Sequence, residues 1–89
     1  MTQQNRPEIE FPSRDYPIKV VGDADPAFRQ CVVSVLQDLS VEFSDSMRES
    51  PSRNGRFVSL TIFITAEHEA QLQQLNSELR KLDFVRMVL

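Results

Sequence analysis

Arg56-Phe57-Val58-Ser59-Leu60-Thr61-Ile62-Phe63-Ile64-Thr65 alternates without a break: Val58, Leu60, Ile62 and Ile64 point one way, and Phe57, Ser59, Thr61, Phe63 and Thr65 the other. A period of two carried by β-branched and aromatic residues is a strand signal, and this run is long for a strand. One face is wholly apolar and reads as the floor of a core. The other is half apolar, more than a face that meets only water needs, and is where function beyond folding is expected.

Working outward, Ser50-Pro51-Ser52-Arg53-Asn54-Gly55 is turn-rich, with Asn54-Gly55 suited to positive φ. It predicts a hairpin from the long strand back to Val41–Glu49, where Val41, Phe43 and Met47 are apolar and Asp45 interrupts. Polar intrusions of that kind suit an edge strand. Beyond the long strand, Thr65 is a candidate cap for a helix over Glu67–Leu82. Its stripe is Leu72, Leu75, Leu79 and Leu82, with acids at the start and Arg80 and Lys81 at the end, as the helix dipole favours. Phe84–Leu89 reads as a last strand.

Upstream, Tyr16-Pro17-Ile18-Lys19-Val20-Val21 is a short strand, with Pro17 expected among its first residues because proline cannot donate to a ladder. Gly22 to Pro26 turns into a helix, with Asp25 as N-cap and Pro26 at the first helical position. Phe28, Cys31, Val32, Val35, Leu36 and Leu39 make that helix's inner face as it runs to about Asp38. Residues 1–15, polar and broken by Pro7 and Pro12, read as an extended arm leaning on the domain through Phe11, and residues 16–89 as the domain.

The order strand, helix, strand, strand, helix, strand predicts an α+β, ferredoxin-like βαββαβ sandwich. Its four-stranded antiparallel sheet would have the order 4-1-3-2, with both helices on one face. The open face would then carry Lys19, Val21, Phe57, Ser59, Thr61, Phe63, Phe84, Arg86 and Val88.

Composition narrows the function classes. A chain of 89 residues is one domain, and one this small gains from any partner that covers apolar surface. With 10 basic and 13 acidic residues, net −3, it lacks the basic field that nucleic acid requires. Phe57 and Phe63 are also spaced too far apart, with Ser59 and Thr61 between them, for the paired aromatics of an RNA-recognition sheet. Neither a membrane span nor a signal sequence is expected, since no apolar run approaches roughly 18 residues and none follows the polar start. The lone Cys31 fits a reducing cytoplasm.

Glu10-Phe11-Pro12, Tyr16 to Gly22, Gly55 to Thr61 and the ending Val85-Arg86-Met87-Val88-Leu89 resemble the YbeD-like family of small bacterial proteins, also called UPF0250 or DUF493. The resemblance covers nearly the whole chain from Glu10. It implies a ferredoxin-like domain similar to the ACT regulatory domains that bind amino acids, and it implies no activity. Against the Asp-x-Pro-Gly pattern often found in ACT domains, Asp23-Ala24-Asp25-Pro26-Ala27 keeps the acid and the proline but has Ala27 for glycine, whose Cβ restricts close backbone approach.

Candidate sites follow. Lys19 and Arg86, on adjacent strands near the hydroxyls of Ser59 and Thr61, form either a small anion site or the charged decoration of a solvated or partner-covered sheet. Cys31 reads as a small core residue and His68 as solvated surface without a second metal ligand. There is no Gly-rich phosphate loop, no metal-ligand cluster and no nucleophile with a base, so the chain reads as non-catalytic and calls for no cofactor or metal. The favoured reading is a cytoplasmic regulatory or adaptor module. It associates with a protein partner or as a homo-oligomer, expected as a dimer, through Lys19, Val21, Phe57, Ser59, Thr61, Phe63 and Arg86. The alternative is a small-metabolite sensor of amino-acid type, with Gly22, Asp23 and Asp25 closing around the ligand at a subunit interface.

Overall fold

The computed structural model describes residues 11–89. Six elements follow one another: β1 (Ser13–Asp23), α1 (Phe28–Asp38), β2 (Arg48–Pro51), β3 (Phe57–Ala66), α2 (Glu69–Arg80) and β4 (Val85–Val88). The strands form one antiparallel sheet in the order β2-β3-β1-β4, which is the expected 4-1-3-2 read from the other edge. Both helices lie on one face. The fold is the ferredoxin-like sandwich.

The alternation of β3 does what its sequence requires: Val58, Leu60, Ile62, Ile64 and Ala66 are buried, while Ser59, Thr61, Phe63 and Thr65 are only half-buried. Register sets Ile18 against Ile62 and Val20 against Leu60, and directly opposed residues share a face, so β1 joins the same core. Phe28, Val32 and Leu36 of α1 and Leu75 and Leu79 of α2 close over it. Leu72 and Leu82 complete the α2 stripe from a half-buried rim, and Cys31, expected inside, is half-buried on α1.

Several boundaries differ from the sequence reading for local reasons. β1 starts at Ser13, inside the expected arm, and a register irregularity between Ser13 and Tyr16 accommodates Asp15 at φ 55°. The remainder of the arm, residues 1–10, lies outside the described residues; Phe11 is 37% exposed. The edge strand is shorter and later than Val41–Glu49. Ser44 Oγ accepts the Ser46 N–H at 3.1 Å and the Asp45 carbonyl accepts the Met47 N–H, which pulls this stretch out of the ladder. Only a bridge between Phe43 and Ile64 survives before β2 begins at Arg48. Val41, Phe43 and Met47 still turn toward the core.

Regular α1 begins at Phe28, later than the Asp25-Pro26 pattern suggests, and its cap position is Ala27. Asp25 still accepts the Ala27 N–H through Oδ1 at 2.8 Å, so it steadies the turn that enters the helix. At the other end Val41 N–H reaches Leu36 O and Ser40 N–H reaches Gln37 O, a Schellman arrangement with Ser40 at φ 56°. α2 is capped by His68, whose Nδ1 accepts the Gln71 N–H at 3.2 Å; the expected cap, Thr65, belongs to β3. Gln71 Oε1 in return accepts the Glu67 N–H at 2.7 Å.

Gly22 marks the tightest packing in the fold. A Cβ there would meet Phe28 Cε1 at 2.5 Å and the Phe84 carbonyl at 2.5 Å, so β1, α1 and the approach to β4 meet where only hydrogen fits. Gly22→Ala should therefore lower stability by about 1–3 kcal/mol, a fall in Tm of roughly 4 °C or more. An unchanged melt would show that the junction can spread. Ser40→Gly should act oppositely, relieving a left-handed side chain worth about 0.5–1 kcal/mol, and a thermal melt no higher than wild type would refute this account of the α1 terminus.

Candidate functional site

The sheet face away from the helices is open, and register orders it in rows. One row brings together Arg48, Thr61 and Lys19. Leu89 closes this row on the β4 side through paired backbone hydrogen bonds to Lys19 of 3.0 and 2.8 Å. The next row holds Ser50, Ser59, Val21 and Met87. A third sets Phe57 opposite Asp23, and on the far side of the Arg48 row Phe63 stands opposite Pro17.

The expected face residues Lys19, Val21, Phe57, Ser59, Thr61 and Phe63 thus share one surface. Two others do not. Val88 lies opposite Val20 and is only 7% exposed, and Phe84 packs against the core. The cause is a register shift: Val21 pairs with Met87 but Gly22 pairs with Val85, which leaves Arg86 as an extra residue and resets the alternation of β4. Met87, 48% exposed, takes the place on the open face that simple alternation gave to Val88. Nothing in the sequence signals a bulge in so short a strand.

Arg86 is committed elsewhere than expected. Its Nε donates to Asp23 Oδ1 and its Nη2 to Asp23 Oδ2, both at 3.0 Å, a two-pronged pair that ties β4 to the end of β1. The Asp23 carboxylate, through this hydrogen bond and its charge, raises the guanidinium pKa above the ordinary arginine value. A raised pKa contributes stability at every pH below the ordinary value and loses it only above, so Arg86 adds no titration near neutrality. The proposed pairing of Lys19 with Arg86 around an anion is therefore not assembled. The cation that shares a row with Lys19 is Arg48, which the sequence reading passed over because it placed the edge strand too early.

The loop candidates also have partners. Gly22 is buried against Phe28, Asp23 holds Arg86, and Asp25 caps its own turn. A ligand's ammonium would have to displace Arg86 to reach Asp23. Among the described residues, recesses of about 90 Å³ lie on the open face beside Phe57, Val21 and Ser59 and between Tyr16 and the α2 leucines. Both are smaller than the roughly 300–1,000 Å³ of typical small-molecule sites. Among the described residues no three His, Cys, Asp or Glu side chains gather as a metal would need, and no helix is long and apolar enough to cross a membrane.

The fold and its open face define a small ferredoxin-like domain. The ACT domain of the GTP pyrophosphokinase of Chlorobium tepidum superposes with a TM-score of 0.67 at 18% identity, over 82% of this chain and 91% of that one. Protein HP0495 of H. pylori superposes at 0.75, also at 18% identity, over 96% and 89%. At that identity the likeness concerns the fold. Sequence decides the family: residues 6–89 match the model described as "Protein of unknown function (DUF493)", and the chain belongs to that family. A UPF0250 protein of Azotobacter vinelandii is 45% identical over 99% of this chain and 97% of its own length. One of Pseudomonas syringae pv. syringae is 42% identical over 92% and 90%.

Because Asp23 and Arg86 bond chiefly to each other, Asp23→Asn and Arg86→Gln should lower Tm by similar amounts. The double variant should fall no further, and the difference should shrink in high salt. Additive losses in the double variant would show that the two side chains act independently.

Proposed function

We propose that the protein is a non-catalytic regulatory or adaptor module of the cytoplasm, acting through association on its open sheet face. One observation carries the reading: Val21, Phe57 and Met87 form an apolar surface that no described element covers, with Phe57 36% and Met87 48% exposed, and Phe63 adds a second apolar contact beyond the Lys19–Thr61–Arg48 row. A domain this small has every energetic reason to bury such side chains within its own core, and contiguous apolar surface on small proteins marks association. The Thr61 hydroxyl, flanked by Lys19 and Arg48, and the neighbouring Ser59 add the polar contacts that fix orientation in an interface. The occupant is a partner protein or a second copy of the chain.

Phe57→Asp and Phe63→Asp place a charge on this surface without touching the buried set. Each should weaken association at least about tenfold. Self-association is read by sedimentation across a concentration series and partner binding by co-purification, with the thermal melt kept near wild type. Association unchanged at equal stability would remove the sheet face from the mechanism.

A further inference from the structure

We propose, on the association reading above, that the open face is occupied by a partner protein presenting an acidic, partly apolar surface, and not by a second copy of the chain. The sign of the charge on this face carries the argument. The chain as a whole is net −3, yet the open face gathers three cations, Lys19, Arg48 and Arg86, against Asp23 beside Arg86 and Glu42 opposite Thr65 at the far end of β3. Asp23 is fully taken up by Arg86. Among the described residues neither Lys19 nor Arg48 has a carboxylate within salt-bridge distance, whereas Arg29 on the helix side meets Glu49 at 3.8 Å. Arg56 adds a further cation at the rim, 5.8 Å from the centre of the Phe57 ring.

Geometry sets these charges among the apolar contacts. Lys19 and Arg48 flank Thr61 in one row, Val21 and Met87 occupy the next, and Phe63 lies on the opposite side. A surface that docks here must therefore offer carboxylates to the Lys19–Arg48 row and apolar groups on both sides of it. A second copy docked face to face offers the reverse. In a two-fold contact centred on the Lys19–Arg48 row the cations of one copy would meet those of the other, and juxtaposed like charges cost several kcal/mol.

The test uses the full chain in the bacterium that encodes it, with a benzophenone amino acid replacing Met87 as photo-crosslinker and, as a control, replacing Gln74 on the exposed side of α2. The Met87 probe is repeated with Lys19→Glu and Arg48→Glu together, after a melt confirms that this variant folds like wild type. The expected result is an adduct with another protein from position 87 and not from 74, reduced at least roughly tenfold by the charge reversal, with the crosslinked peptide lying in a net-negative segment. An adduct indifferent to the reversal, one with a second copy, or one with the chain's own residues 1–10 overturns the acidic-partner proposal and leaves association on this face standing. Absence of any adduct at position 87, while the protein is folded and expressed, overturns both.

Discussion

The antiparallel pairing of β1 with β3 is the constraint on which the rest depends. It runs from Ser13 opposite Ala66 to Asp23 opposite Phe57, nearly the full length of both strands. Because side chains alternate with a period of two, this one register decides simultaneously what is inside and what is outside. A slip of β3 by one residue would turn Leu60, Ile62 and Ile64 to solvent and bury Ser59 and Thr61. The cost of such an exchange, several apolar side chains exposed and two hydroxyls desolvated, is comparable to or larger than the whole stability of so small a domain. The open face is therefore specified by the same contacts that specify the core, and its composition is tied to the fold.

Much of this was legible in the sequence because the signal was long and repeated. The alternation of Phe57–Thr65 fixed the central strand, and the stripes Phe28-Val32-Leu36 and Leu75-Leu79 fixed the helices against it. What escaped was decided by single hydrogen bonds. Ser44 Oγ takes the Ser46 N–H and interrupts the edge strand, and His68 Nδ1 rather than Thr65 caps α2. Neither residue type announces which of several competing partners it will choose. On the site, the strand faces of β1 and β3 were read from parity. Parity failed on β4, where the extra residue Arg86 reversed it and exchanged Val88 for Met87.

The same bulge explains why Asp23 and Arg86 meet. Far apart in the chain and on adjacent strands, they are brought into two-pronged contact only because Arg86 is the residue left over by the register shift. Gly22, directly before Asp23, lets Phe28 and the Phe84 carbonyl approach closely enough to hold that junction. The Gly22-Asp23 pair, which as bare sequence invites a ligand, serves here to anchor the last strand. Its acid and its glycine are spent on packing and pairing.

The sheet's edges bear on how such a domain associates. Lys19 exchanges backbone hydrogen bonds with Leu89, so by alternation Pro17 aims its backbone toward the same side, past the end of β4. Pro17 has no N–H to offer there, which is why a proline is tolerated inside β1 rather than at its start. On the other edge Ser52 donates inward to the Phe57 carbonyl, so Pro51 faces outward and is again without a donor. The β2 edge and the stretch of β1 beyond the end of β4 thus each present a proline where an added strand would need a donor, a common defence against edge-to-edge pairing. β4 itself is a four-residue strand. With its edges blunted, the sheet leaves its face as the broader open surface, and that face carries cations among its apolar groups. The chain's prolines and the charge pattern of its open face thus bear on the proposed association by independent physical routes.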